Sequence, residues 1–169
     1  MDEYVKLAKK TIDSYVRDKI TIKLPEDLPK EMTEKRAGAF VSLHKDGELR
    51  GCIGTILATT DCVGEEIIQN AISASTCDPR FAPVKDYELP FLDISVDVLS
   101  EPEDIESADE LDVKKYGVIV SNGFRRGLLL PDLDGVDTVE EQIFIAKRKA
   151  GIMPDEKVKL QRFEVIRHH

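Results

Sequence analysis

The sequence predicts an α+β fold in which helices flank a largely antiparallel sheet. Two observations carry this prediction: glycine turns divide two β-rich runs, and amphipathic helical patterns separate the strands. Asp46-Gly47 divides the first run and Asn122-Gly123 divides the second. Two-residue turns of this composition join antiparallel strands, and consecutive hairpins are not found in doubly wound parallel sheets.

The other elements follow from hydrophobic periodicity and from capping residues. The last helix has acidic residues near its start and basic residues near its end, as the helix dipole favours. Phe163 is out of phase with its apolar neighbours, which predicts a bulge in the last strand. The predicted helices cover 3–17 and 62–76 (capped by Asp61 or Thr60), with a short helix near 108–115 and a last helix that Asp137 or Thr138 caps and that Gly151 ends at its C′ position. An extended segment is predicted over 19–35, and strands are predicted over 91–100 and 156–167.

The order of hairpin, helix and strand occurs twice, which suggests internal pseudo-symmetry within one domain over residues 1–169. We identify no residue-level repeat that supports this suggestion. Residues 93, 95 and 97 are polar and alternate with apolar neighbours, which predicts a half-buried strand.

The composition narrows the possible functions. The chain has 33 acidic and 24 basic residues and a net charge of -9, which disfavours generic binding to a phosphate backbone. It has no apolar run near the ~20 residues of a membrane span and no visible export signal, so we expect a cytoplasmic protein. Three cysteines without CxxC spacing and three histidines predict reduced thiols, no metal site and no cofactor.

The stretch "ELRGCIGTI", residues 48–56, is the principal candidate site. Strand alternation places Arg50, Cys52 and Gly54 on one face, so that the guanidinium favours the thiolate. Glycines within a strand indicate a bulge, a bend, or the close approach of another backbone or ligand. Cys52 is therefore a candidate nucleophile, redox thiol or ligand contact; the alternative is a small buried side chain beside a closely packed helix.

His44 lies near Leu49 and Arg50 if the strands pair about the first turn, but this placement does not assemble a Cys-His-Asp triad. Further along the chain, "CDPRF" supplies Asp78 as a turn acceptor and Arg80 as a donor fork for a carboxylate or phosphate. The two residues could equally fix the loop. Arg50, Arg80 and Arg125 or Arg126 would together favour an anionic ligand.

The residues "LRGCIGT" resemble the signature of the AMMECR family. The blocks "AISASTCDPRFAPV", "LDISVDVLS" and "YGVIVSNGFRRGLLLP" and the helix ending in "RKAGI" also resemble that family, in the same order along the chain. The resemblance implies an α+β fold of two interleaved subdomains with the signature near a cleft between them.

The resemblance also implies a family without an established activity. Its prokaryotic members are similar to one part of a three-part system that includes a Memo-type, dioxygenase-like domain and a radical-SAM protein. The sequence resembles the form in which this domain follows a Memo-type domain, and an excised C-terminal piece of such a fusion protein is compatible with it. Three features depart from the family pattern: Ile56 replaces an aromatic residue, Ala82 replaces a proline, and the chain has no tryptophan.

We therefore carry three hypotheses: a ligand- or substrate-binding domain, a thiol-dependent enzyme that uses Cys52, and a structural interaction domain. The substrate could be a small molecule, a peptide or RNA. The candidate catalytic residue is Cys52, and the candidate ligand-binding residues are His44, Arg50, Gly51, Gly54, Thr55, Asp78, Arg80 and Arg125.

Overall fold

A computed structural model describes all 169 residues as a mixture of helices and antiparallel sheet, which confirms the predicted fold class. No helix is long and apolar enough to cross a membrane. The helices are α1 (Glu3–Asp18), α2 (Lys30–Glu34), α3 (Val63–Thr76) and α4 (Val139–Lys149), and the strands are β1 (Ala39–Lys45), β2 (Glu48–Gly54), β3 (Leu92–Leu99), β4 (Glu103–Ile105), β5 (Gly117–Asn122), β6 (Arg125–Leu129), β7 (Lys159–Phe163) and β8 (Val165–His168).

The chain divides into two compact units, and the first comprises Met1–Leu99 and Ile166–His169. Its four-stranded sheet has the order β2-β1-β3-β8. Alternate residues of β1 and β3, such as Val41 and Val96, are fully buried in the core that α1 and α3 share with this sheet. The opposite face of β1 carries half-buried residues.

The second unit comprises Ser100–Val165. Its sheet has the order β4-β7-β5-β6, and α4 packs on β5 and β6. Its core is smaller, with Val118, Val120 and Ala146 fully buried.

The two sheets have equivalent topology. Reading the second sheet as β6-β5-β7-β4 matches each of its strands to one strand of β2-β1-β3-β8. The fourth strand of each sheet comes directly after the third strand of the other sheet along the chain, because β4 follows β3 and β8 follows β7. Along the chain the second unit is one continuous stretch that lies between the two segments of the first. The predicted pseudo-symmetry is present in the strand order of the two sheets.

The correspondence between the two units extends to single residues, because each hairpin has one glycine that packs against a helix. Gly51 in β2 lies against the backbone carbonyl of Ala74 in α3, and Gly127 in β6 lies against that of Ala146 in α4. A methyl group at either glycine would overlap the carbonyl oxygen. The absence of a side chain is therefore what lets each helix pack this closely on its strand.

A buried side-chain amide occupies the same position relative to the glycine contact in both units. Asn70, four residues before Ala74, donates to the Ala39 carbonyl at 2.8 Å. Gln142, four residues before Ala146, donates to the Tyr116 carbonyl at 2.9 Å. The repeat is also visible in the sequence as Gly-x-x-Arg-Gly, in "GELRG" and "GFRRG", although sequence analysis did not detect it.

The first predicted hairpin is confirmed, with Asp46 and Gly47 at φ 53° and 80° as a type I′ turn requires. The second hairpin has a different turn from the predicted one. Asn122 pairs with Arg125, so that Gly123 and Phe124 form the turn, and of these only Gly123 has a positive φ, 62°. Glycine at the first central position alone is typical of a type II′ turn, which moves the turn by one residue.

Four smaller predictions need correction. The extended segment contains the one-turn helix α2, and the predicted helix near 108–115 is a single 3₁₀ turn at Ala108–Glu110. Helix α3 begins after Cys62, which has no side-chain capping bond. The last strand does not continue through a bulge but divides at Glu164 into β7 and β8, which belong to different sheets.

Asp97 is also buried rather than solvent-facing. Its carboxylate accepts from the guanidinium of Arg167 at 2.8 and 3.0 Å. The alternation of β3 was read correctly, but the opposite face of a sheet is not necessarily in water.

We predict that Gly51→Ala and Gly127→Ala each destabilise the protein, because the added methyl group must push a helix carbonyl away from the strand. Overpacking of this kind costs about 1–3 kcal/mol. Chemical denaturation of both variants measures the cost, with Leu49→Ala on the same strand β2 as an exposed control. Glycine variants as stable as the control would show that the close approach has no energetic role.

Candidate functional site

Strand β2 is the edge strand of the first sheet and carries a bulge at Arg50. Leu43 pairs with Gly51 and His44 pairs with Leu49, which leaves Arg50 without a cross-strand position. The strict alternation that would place Arg50 on the face of Cys52 therefore breaks at Arg50.

Arg50 forms a bidentate ion pair with Glu88, at 3.0 Å from Nε to Oε1 and 3.1 Å from Nη2 to Oε2. The same carboxylate accepts from Lys45 Nζ at 3.2 Å and from the Lys85 backbone N–H at 2.8 Å. Glu88 lies in a 3₁₀ helix (Asp86–Phe91) immediately before β3 and is buried. Arg50 thus joins the edge strand to the start of β3.

The pKa of Glu88 falls from its ordinary 4.5 to about 2, first because Arg50 donates to the carboxylate. Burial acts in the opposite direction, and the Lys85 N–H and Lys45 reinforce the decrease. Glu88 is therefore ionised at neutral pH, and its ion pairs contribute to stability.

A second carboxylate, Asp78, binds the backbone of Cys52. Its Oδ2 accepts from the Cys52 N–H at 3.0 Å, and Arg80 Nη2 donates to the Cys52 carbonyl at 3.3 Å. Asp78 also accepts from Arg80 Nε at 3.0 Å and from Arg80 Nη2 at 2.8 Å. Together Asp78 and Arg80 engage the main chain of Cys52 much as a neighbouring strand would; we call this pair the edge clamp.

The turn between α3 and the 3₁₀ helix holds the edge clamp in place. Asp78 accepts from the Arg80 N–H at 3.1 Å through its side chain and from the Phe81 N–H at 3.1 Å through its carbonyl. The hydrogen bond from Arg80 lowers the pKa of the Asp78 carboxyl from 3.8 to about 2. The pKa of Arg80 is raised, first by Asp78 and also by Cys52.

The Cys52 thiol belongs to the face of the sheet opposite the helices. Its Sγ lies 3.2 Å from the hydroxyl of Ser42, its partner on β1, and both residues are half-buried. On the same face the ring of Phe40 packs over Gly54. The second glycine of the signature therefore accommodates an aromatic ring, whereas Gly51 accommodates a helix.

His44 pairs with Leu49 on β2, as expected from the sequence, and with Asp93 on β3. The structure forms no hydrogen bond between His44 and either Asp93 or Cys52. The three residues therefore do not form a catalytic triad here.

Glu66 is a buried residue that sequence analysis missed. Its carboxylate accepts from Thr55 Oγ1 at 2.6 Å, from both the N–H and the hydroxyl of Thr59 (2.9 and 2.8 Å), and from both groups of Thr60 (3.0 and 2.7 Å). Burial alone would raise its pKa, but these hydrogen bonds outweigh burial and lower it. Glu66 thus fixes Thr55 and the loop that follows the signature; the cluster of threonines was the available signal.

Arg125 belongs to the second unit, where it forms an ion pair with Glu156 at 2.6 Å and donates to the Gly151 carbonyl at 3.1 Å. Arg126 is exposed. Within the first unit, Arg50 and Arg80 are each bound to a buried carboxylate.

All three cysteines are thiols, and no group of histidine, cysteine and acidic residues has an arrangement suited to a metal ion.

Comparison with known proteins shows which family contains this chain. The AMMECR1 family model matches residues 5–168. The chain belongs to the AMMECR1 family. A Thermotoga maritima relative is 56% identical over 98% of this chain and 96% of its own length. A Clostridium acetobutylicum relative is 51% identical over 99% of this chain, which spans only 36% of that longer protein.

The AMMECR1 fold is also found in a crystal structure. An uncharacterised protein from Pyrococcus horikoshii matches with a TM-score of 0.90 and 35% sequence identity, over 97% of this chain and 88% of that chain. The family and the fold are thus shown together, and the function of the family is uncharacterised.

We predict that Glu88 makes stability depend on pH. Its pKa is lowered from 4.5 to about 2, so its contribution is complete above pH 4.5 and is lost as the pH falls towards 2. Glu88→Gln should be less stable by about 2–3 kcal/mol near neutral pH, and the difference should shrink towards zero at low pH.

Denaturant unfolding at a series of pH values measures this difference, with Asp93→Asn as an exposed control on β3. A difference that does not change with pH would contradict the assignment.

We also predict that Glu66→Gln loosens the loop after the signature, because an amide NH₂ cannot accept the hydrogen bonds that one carboxylate oxygen accepts. Loss of acceptors for buried donors costs about 1–3 kcal/mol. Hydrogen exchange at the Thr59 and Thr60 amides should accelerate in this variant. Glu65→Gln, in the same helical turn but without these bonds, should leave the exchange unchanged.

Proposed function

We propose that this AMMECR1 domain binds an anionic ligand or substrate beside the LRGCIGT strand, at Arg80 and Cys52 of the first unit. The observation that carries the proposal is the state of the Arg80 guanidinium. It is held rigidly at the strand edge, yet its side chain is 54% exposed.

Three of the five guanidinium donors of Arg80 are used. Nε and Nη2 donate to Asp78, and Nη2 also donates to the Cys52 carbonyl. The two Nη1 donors have no partner within the chain. A guanidinium oriented in this way offers two directed hydrogen bonds to one carboxylate or phosphate group.

The charge of Asp78 offsets that of Arg80, so the site attracts an anion by directed donors rather than by a strong positive field. This suits a small anionic group better than a polyanion, in agreement with the net charge of -9. It also reduces the support for RNA as the substrate.

The other candidate ligand residues divide by their partners. Arg50 forms an ion pair with Glu88, Gly51 packs against helix α3 and Thr55 donates to Glu66. Each of these contacts gives the residue a structural role. Asp78 positions Arg80. Arg80, Cys52 and Gly54 remain as the candidates for direct contact with a ligand, and Arg125 and His44 are less directly supported.

A thiol-dependent enzyme is the second candidate function, because Cys52 lies close enough to Arg80 to raise the pKa of the guanidinium. In general, a neighbouring guanidinium favours the thiolate form of a cysteine. Under this alternative the ligand held by Arg80 is the substrate of the thiol.

We also propose that the domain acts with Memo-type, dioxygenase-like and radical-SAM partners. The support is the family resemblance, together with the greater length of the Clostridium acetobutylicum relative, in which the matching region is 36% of the protein. Co-purification of this chain with candidate partners from the same genome, with and without the Arg80→Ala change, tests for a complex.

Alkylation of Cys52 tests the anion site directly. Iodoacetate carries the carboxylate that Arg80 would bind, whereas iodoacetamide is neutral. The rate constant for iodoacetate divided by that for iodoacetamide at Cys52 therefore reports anion binding, with little influence from the thiol pKa. We expect a high ratio in the wild-type chain and a decrease of about tenfold in Arg80→Ala, the size of a lost charge-assisted hydrogen bond. Peptide-level mass spectrometry separates Cys52 from Cys77, which is exposed and serves as the internal control.

Two further comparisons complete the experiment. Arg126→Ala, an exposed arginine of the second unit, should leave the ratio at Cys52 unchanged. In the wild-type chain, acetate should slow alkylation by iodoacetate at Cys52 but not at Cys77. Equal ratios at the two cysteines, without competition by acetate, would exclude the anion site even if the Arg80 variant failed to fold.

A further inference from the structure

The edge of β2 offers main-chain groups as well as a guanidinium. The Thr55 N–H donates to the Ala39 carbonyl at 3.1 Å, so Thr55 and, by alternation, Ile53 and Gly51 direct their main-chain groups towards β1. Cys52 and Gly54 direct theirs away from the sheet. For Cys52 this is borne out by its bonds to Asp78 and Arg80.

The two outward positions differ in their partners. The edge clamp occupies the N–H and the carbonyl of Cys52, whereas those of Gly54 have no partner in the chain. Gly54 is half-buried and lies one outward position beyond the clamp. An extended chain could therefore pair with Gly54 but would have to end before it reached Cys52.

The charge at the clamp determines which end of such a chain stops there. The two remaining Nη1 donors of Arg80 attract a carboxylate and repel an ammonium group. A chain with its carboxyl end at Arg80 runs from Gly54 towards Cys52, antiparallel to β2. Its penultimate residue would face Gly54, and its last residue would bring the carboxylate to the guanidinium.

We infer that the ligand of this site is the carboxyl terminus of an extended peptide, added to the edge of β2 and bound by Arg80. Strand addition of this kind takes affinity from main-chain hydrogen bonds and specificity from the chain end. The inference rests on the proposed anion site and specifies its ligand class.

Gly54 also predicts which kind of side chain the penultimate residue of the peptide carries. Directly opposed residues in a sheet place their side chains on the same face, so the penultimate residue would project beside the Phe40 ring that covers Gly54. An aromatic or apolar side chain across from a strand glycine fills the space that the glycine leaves. The Cys52 thiol lies on that same face, next to Ser42.

Two synthetic peptides test the inference: acetyl-Ser-Gly-Ser-Val-Phe-Ala with a free carboxyl group and the same peptide with a terminal amide. Titration into the ¹⁵N-labelled chain should shift the Gly54 amide and slow its hydrogen exchange. We expect the free acid to bind about tenfold more tightly than the amide, as for one charge-assisted contact. Arg80→Ala should remove that difference, and Arg126→Ala should retain it.

Equal affinity for acid and amide, or no change at Gly54 up to millimolar peptide, would overturn the inference. Exchanging the penultimate Phe for Asp should weaken binding, and unchanged affinity would overturn the predicted side-chain preference. The alkylation ratio at Cys52 distinguishes failure of the proposed anion site from failure of the inference that its ligand is a peptide carboxyl terminus. A high ratio without recognition of the peptide acid would leave an anion site whose ligand is not a peptide terminus.

Discussion

The packing of a helix carbonyl against a strand glycine is the contact on which the structure depends. It occurs once in each unit, at Gly51 and at Gly127. Each time a buried side-chain amide on the same helix donates to a main-chain carbonyl at the start of the neighbouring strand or just before it. These contacts fix the distance and the register between helix and sheet. The repeated topology, in which each third strand is followed by a strand of the other sheet, uses the same arrangement twice.

The first unit differs from the second in what surrounds this contact. In the first unit, three buried carboxylates, Glu66, Asp78 and Glu88, accept hydrogen bonds from the signature strand or from the segments next to it. Burying a carboxylate is costly unless donors compensate for lost water, so each acid fixes several groups at once. The three carboxylates therefore hold the signature strand and the segments next to it in place. The Nη1 donors of Arg80 remain without a partner in the chain, close to Cys52.

The fold class and most of the elements were predictable from sequence because they rest on local signals. Asp46-Gly47 requires its turn, and Gly151 ends α4 with a φ of 72°. The site was only partly predictable. Asp78 was recognised as an acceptor and Arg80 as a donor in one turn. Glu66 and Glu88 were not recognised, because their partners are distant in sequence or depend on a bulge. Gly123-Phe124 was misplaced by one residue because glycine fits either central position of a hairpin turn.

By itself the sequence determined the α+β class, the hairpins, the helices, the family and the strand worth attention, since periodicity, turn chemistry and short motifs act over a few residues. Only the tertiary structure decided what each signature residue does. It assigned Gly51 to a helix, Gly54 to an aromatic ring, Arg50 to Glu88 and Arg80 to the edge of β2. The physical reason is that an ion pair or a close approach depends on which distant segment arrives beside a residue, and no local pattern encodes that segment.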